Sequence, residues 1–262
     1  MADTWERGDA YERYIGRWSR RVAPAFLAWL DVPAGRRWLD VGCGTGALGS
    51  AIVELARPSS VAGVEPSEGF LDAARARLGE RVALHRGSAT AIPIPDGAVD
   101  VVVSGLVLNF VPDARAALGE MARVTGPSGT IAAYVWDYAD KMEVIRRFWD
   151  AAIELDPSAA SLDEARRFPL CRRDALAELF ARAGLRDVDV TEIDVDAHFA
   201  SYDDYWEPFS GGQGPAPSYV ASLDDTARAR LRDCARSRVD TGASGSFTLT
   251  ARAWAARGTV SS

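Results

Sequence analysis

The chain has one lysine, Lys141, two histidines, three cysteines and no long uninterrupted apolar run. Each shortage excludes something. Cys43, Cys171 and Cys234 are odd in number, far apart and without metal-ligand spacing, so neither a disulfide framework nor a zinc or other metal site is expected, and a reducing compartment fits. Nowhere do about 18 uncharged apolar residues run together, and the opening MADTWERGDAYERYIGRWSR has no signal-peptide core. A cytoplasmic protein with no membrane partner is the expectation. Thirty basic against 37 acidic side chains give a net charge of −7, with the positive charges dispersed, which argues against nucleic acid as a partner. At 262 residues, 48% apolar and 26% charged, the chain fits one large folded domain, or one domain with a substantial insertion.

What is present is an alternation of strand and helix signals. WLDV, SVAGVE, RVALHR, VDVVVSGLVL and GTIAAYVWD read as strands, separated by the helices ALGSAIVELA, SEGFLDAARARLG (Ser67 as N-cap) and DARAALGEMARVT, with GPSG as a turn before the fifth strand. Such alternation over residues 36–137 predicts an α/β fold, a doubly wound and mostly parallel sheet of Rossmann-like type with helical lid insertions. Residues 1–35 are expected to form an N-terminal helical lid, 36–137 the cofactor-binding core, 138–171 a helical insertion beginning with the helix YADKMEVIRRFWDAAIEL, and 172–262 the remainder of the same domain. In that last part LRDVDVTEIDVD and SFTLTARAWAA alternate as half-exposed strands, and residues about 200–240 form a substrate-lid insert. Its GGQGPAP stretch is either a surface connection or an ordered lid edge.

The first strand runs into WLDVGCGTGALG, a sharp strand-to-helix turn with Asp40, Gly42, Cys43, Gly44 and Gly46. Turns of this kind serve NAD, FAD and S-adenosylmethionine alike, because glycine lets a ligand approach the backbone at a helix start. The dinucleotide spacing is met only by coincidence through Gly49. An acid inside the turn, Asp40, would repel a pyrophosphate and suit a ligand with a cationic amino group. Glu65 ends the second strand about 20 residues on, where a ribose-binding acid belongs. In GSATAIPIPDGAVDVVVSG, Ser88 and Ala89 could frame an adenine edge.

At these residues the sequence resembles the class I S-adenosylmethionine-dependent methyltransferases, particularly the branch with the ubiquinone and menaquinone C-methyltransferases and many small-molecule methyltransferases. LDVGCGTG looks like that family's first motif almost letter for letter. The resemblance implies strand order 3-2-1-4-5-7-6 with the seventh strand antiparallel, S-adenosylmethionine as cofactor and S-adenosylhomocysteine as product. It also implies that Asp40 and the Gly42 to Gly46 backbone hold the methionine end, Glu65 the ribose, and Ser88 with Ala89 the adenine, with Cys43, Pro66 and Ser104 in the same cofactor-binding set. Ser88 departs from the Asp often found there, and Asn109 in LVLNFVPD stands where many relatives carry His. That Asn lacks a following Pro-Pro-aromatic, so the signature of DNA amino-methylating enzymes is absent. The flanks YERYIGRWSR and YWEPFSGGQGPAP look like an actinobacterial-type set of the same class.

Methyl transfer from a sulfonium is an in-line displacement that proceeds largely by alignment, and a base helps only for a neutral hydroxyl or amine acceptor. Of the two histidines, His85 on the third strand reads as structural, while His198, placed just past the strand before the insert, is the better candidate base. Tyr11, Tyr14 and Trp18 follow helical spacing, either as a core stripe or as a lid in which Tyr14 and Trp18 touch cofactor or substrate. Trp136 and Tyr138 at the end of the fifth strand, and Trp206 in the insert, would line an apolar substrate pocket. Asp137 either caps the next helix or binds substrate. The expected function is methylation of a small, hydrophobic or aromatic molecule by a monomer or homodimer. The alternatives are a non-methylating enzyme of the same fold, a protein-directed methyltransferase or, more remotely, an NAD-dependent oxidoreductase.

Overall fold

The computed structural model describes residues 16–211 and 214–261; Tyr11 and Tyr14 lie outside them. Seven strands form one sheet: β1 (Arg37–Val41), β2 (Ser60–Glu65), β3 (Ala83–Arg86), β4 (Val99–Gly105), β5 (Thr125–Trp136), β6 (Arg186–Phe199) and β7 (Phe247–Thr259), in the order β3-β2-β1-β4-β5-β7-β6. β7 runs antiparallel to both of its neighbours, and the other neighbouring pairs are parallel. The order and the reversed strand are those the resemblance implies. Central strands are buried on both faces: Leu39, Val41 and Val101 to Val103 are all sealed from solvent.

Helices cover the sheet. α1 (Arg17–Leu30) turns Trp18, Val22, Phe26 and Leu30 inward as a stripe. α2 (Ala47–Leu55), α3 (Glu68–Leu78, capped by the Ser67 hydroxyl accepting from the Phe70 N–H) and α4 (Ala114–Val124) connect the parallel strands. Beyond β5 come α5 (Glu143–Leu155), the single turn α6 (Glu164–Arg167) and α7 (Arg173–Arg182), and between β6 and β7 lie α8 (Tyr202–Ser210), α9 (Pro215–Ser222) and α10 (Asp225–Arg236). These late helices build a second aromatic core on α5: Phe148 stacks on Phe209 at 4.6 Å, and Trp149, Trp206 and Tyr219 close around them. The Tyr205 hydroxyl ties α8 to the Val144 carbonyl at 3.0 Å. No helix among the described residues is long and apolar enough to cross a membrane.

Three local expectations change. GPSG is not a free turn: Val99 pairs with Thr125 and Val101 with Thr130, so residues 126–129 bulge out of β5. The bulge persists because the Ser128 N–H donates to the Val260 carbonyl and the Val260 N–H to Gly129, so the chain beyond β7 supplies the missing partners. The helix expected from Tyr138 starts only at Glu143, since Asp137 gathers the intervening turn: its carbonyl accepts from Met142 N–H (2.9 Å) and its carboxylate from Lys141 N–H (3.2 Å). β6 continues through Phe199, which puts His198 inside the strand opposite Thr248 rather than past its end.

Candidate active site

The carboxyl ends of β1, β2, β4 and β5 enclose a cleft of about 420 Å³. A ligand site is expected at this edge of a doubly wound sheet, where the connections diverge to either side. The β1 turn forms its floor. Gly42 adopts φ +72°, and a Cβ there would press to 2.6 Å from the Val107 side chain, so a side chain at this position would collide with the opposite wall.

Four amides of the turn are already engaged within the protein. Gly42 and Cys43 N–H groups both donate to the Val64 carbonyl (2.7 and 3.1 Å), Gly46 N–H to the Cys43 carbonyl (2.8 Å), and Gly44 N–H to Glu65 Oε2 (3.1 Å). Two carboxylates face the ligand space. Glu65 is buried and accepts from Gly44 and, through Oε1, from Ser67 N–H at 3.0 Å. Burial raises its pKa, and those two amides oppose the rise. Asp40 is 1% exposed, and its Oδ2 has no hydrogen-bond partner among the described residues. Burial, reinforced by the charge of Glu65 and opposed by the Gly49 backbone N–H, pushes its carboxyl up to about 7. The neighbouring Cys43 thiol is raised by burial and by both acids, so it stays protonated.

A buried carboxylate with one oxygen unsatisfied is costly, and a cation that enters the cleft relieves it. Pyrophosphate would meet two acids, Asp40 and Glu65. The donor set therefore fits S-adenosylmethionine, with its ammonium and sulfonium charges, and does not fit a dinucleotide.

Of the residues expected at the cofactor, Asp40, Gly42, Cys43, Gly44, Glu65, Pro66, Ser88 and Ala89 line the cleft together. The Ser88 hydroxyl lies 3.0 Å from that of Thr90 and accepts from the Thr90 N–H. Gly46 stands behind the turn, against Leu78 of α3. Ser104 is fully buried below the floor, where its hydroxyl donates to the Val41 carbonyl at 2.8 Å and ties β4 to β1. The expected substrate aromatics lie elsewhere: Trp18 packs on Phe199, Trp136 is buried at the end of β5 and outside the cleft wall, Tyr138 faces Phe168, and Trp206 belongs to the aromatic core on α5. His198 is exposed, with Nδ1 3.3 Å from the Thr248 hydroxyl, and is not part of the cleft wall.

Other residues complete the wall. Phe70, Thr90, Leu106, Val107 and Phe110 line it, as do Ser19 from α1 and Tyr134 from β5. Leu106 leaves β4 at φ +62°, a left-handed turn costly for leucine, and its N–H donates to the Tyr134 carbonyl at 2.8 Å. Phe110 is 36% exposed at the mouth and meets Phe168 edge-on at 5.0 Å. The only warning in the sequence was position: Phe110 follows the β4 turn, and Ser19 is a polar residue on an apolar helix stripe.

These features define a class: doubly wound α/β proteins with a strand-end cleft suited to a nucleoside that carries positive charge. Residues 39–133 match the family model described as a methyltransferase domain. An uncharacterized methyltransferase of Mycobacterium tuberculosis is 42% identical over 132 residues, covering 50% of this chain and 51% of that protein, so the chain spans about half the length of that relative. The demethylmenaquinone methyltransferase of Geobacillus kaustophilus is 33% identical over 178 residues, covering 62% of this chain and 75% of its own length. A solved putative methyltransferase from Bacillus halodurans shares the fold, with TM-score 0.59, 13% identity and coverage of 92% of this chain and 99% of that one. The chain belongs to the class I S-adenosylmethionine-dependent methyltransferases.

Proposed function

We propose that the protein transfers a methyl group from S-adenosylmethionine to a small organic acceptor of hydrophobic or aromatic character. The observation that carries this reading is the buried Asp40 carboxylate, one oxygen of which has no partner among the described residues, beside Glu65 in a cleft whose mouth is apolar. When bound, S-adenosylmethionine supplies a methyl group on a cationic sulfur. Asp40 would neutralise the methionine ammonium, and Glu65, held by Gly44 and Ser67, would accept the ribose hydroxyls. Ser88, Ala89 and Thr90 would flank the adenine. Leu106, Val107, Phe110, Val111 and Pro112 would keep water from the reacting end and favour an apolar acceptor. The names of relatives that act on demethylmenaquinone support that acceptor class. Among the described residues, the titratable groups on the wall are Asp40, Cys43, Glu65 and Tyr134, so catalysis in this reading rests on alignment rather than on histidine.

Titration should show binding of S-adenosylhomocysteine and none of NADH, with affinity falling more than about tenfold in Asp40→Ala or Glu65→Ala, as expected when a charged hydrogen-bond partner is lost. Unchanged affinity in both variants would remove the site assignment. With methyl-labelled S-adenosylmethionine and a host extract, label should enter the small-molecule fraction. Label confined to protein would make the enzyme protein-directed.

A further inference from the structure

Tyr134 is buried to 3% exposure, yet it lines the cleft. It stands in β5 directly opposite Gly105, the last residue of β4. A Cβ on Gly105 would lie 2.6 Å from the tyrosine hydroxyl and 2.7 Å from Cζ, so the ring crosses the space that a side chain at 105 would fill. Phe26 of α1 packs against the ring at 4.8 Å, and the Leu106 N–H fixes the Tyr134 carbonyl. The hydroxyl is thus carried to the end of β4 by a glycine that makes room and an aromatic that prevents retreat.

Along the strand order, Glu65 ends β2, Asp40 lies in β1, Gly105 ends β4 and Tyr134 follows on β5. If Glu65 takes the ribose and Asp40 the ammonium, the wall beyond β4 is left for the methyl group and its acceptor. On that wall the described lining residues are apolar except Ser19 and Tyr134. Ser19 sits two helical turns before Phe26, on the same face of α1, and directs its own proton to the Gly16 carbonyl at 2.9 Å.

We propose that Tyr134 is the acceptor-side contact of the transferable methyl group, with its hydroxyl oxygen facing the place where the cofactor presents that methyl. The inference rests on the cofactor reading above. A neutral oxygen beside the methyl and off the sulfur–methyl axis attracts the positive charge spread over the sulfonium and its methyl hydrogens, and leaves that axis open to the acceptor, whose bond to carbon forms as the carbon–sulfur bond breaks.

Calorimetry with two ligands tests this without an acceptor. Sinefungin carries a protonated amine on carbon in place of the methylated sulfur, whereas S-adenosylhomocysteine has neither methyl nor amine. Tyr134→Phe keeps the ring against Phe26 and Gly105. It should weaken sinefungin about tenfold, the usual size of a hydrogen bond to a charged group, while S-adenosylhomocysteine stays within about twofold. Gly105→Ala, which displaces the hydroxyl without removing it, should shift the same ratio. A purely structural tyrosine would move both ligands together, and an unchanged ratio in Tyr134→Phe overturns the assignment alone. Failure of the wild-type protein to bind either ligand overturns the cofactor reading and this inference with it.

Discussion

Two pairs of acids are buried in this protein, and they live differently. Asp163 and Glu164, at the start of α6, are satisfied: Arg146 reaches both oxygens of Asp163 at 2.9 and 3.1 Å, the Ala165 N–H adds a third bond, and the Trp149 indole donates to Glu164. Asp40 and Glu65, at the strand ends, share a cleft with no cationic partner among the described residues, and Asp40 keeps one oxygen bare. The first pair fastens the turn after α5 to that helix. The second is left incomplete for something that arrives later. Burial alone does not separate a structural acid from a functional one; the count of unmet bonds does.

The sharpest way to break this comparison is to damage the side that should matter only for folding. Trp206→Ala in the aromatic core should destabilise by about 3 to 5 kcal/mol in urea unfolding, while S-adenosylhomocysteine affinity stays unchanged in the folded fraction. Asp163→Ala leaves Arg146 facing a hole and should cost about 3 kcal/mol, again with affinity intact. A loss of affinity in either variant would mean that the second core reaches the cleft.

Asp40→Asn should do the reverse: affinity for S-adenosylhomocysteine falls at least about tenfold by calorimetry, while the empty protein keeps or gains thermal stability because a buried like-charge pair is relieved. The pH dependence follows from the same acids. Asp40 at about 7 and Glu164 at about 8 hold their protons in the folded protein at pH values where the unfolded chain has already lost them. Their contribution to stability is therefore full below the ordinary carboxylate range near pH 4 and drains away as pH rises through about 7 and then about 8. The melting temperature of the empty protein should fall across that window; Asp40→Asn should flatten its lower part and Glu164→Gln its upper part. The smallest effect belongs to His198→Ala, expected to change stability by less than about 0.5 kcal/mol and to leave affinity untouched.

Much of the fold was legible because each parallel strand carries its own signal: a β-branched run, a turn, then a helix. The cofactor acids were legible for a chemical reason, since Asp40 and Glu65 sit where a strand must end. The aromatics were not. Trp136, Tyr138 and Trp206 lie near the binding edge in sequence, but an aromatic that lines a cleft and one that fills a core have the same composition and spacing. Only the partner ring, such as Phe148 beside Trp206, tells them apart. Tyr134 was hidden for the opposite reason, since in GTIAAYVWD it reads as interior strand, and it reaches the cleft only because Gly105 opposite it has no side chain. The occupied amides of the glycine turn were equally invisible, because they depend on the Val64 carbonyl one strand away.

The sheet places β7 between β5 and β6, so the gap between those two strands is filled by residues 247–259. On the ribosome, β6 emerges with no neighbour to join and β5 waits with an open edge until residues 247–259 have been made. The aromatic helices α8 to α10 are synthesised during that interval, and their collapse onto α5 gives the nascent chain something to bury before its last strand arrives. The emergence of residues 247–259, rather than the appearance of the glycine turn, is then the moment at which this sheet can first close.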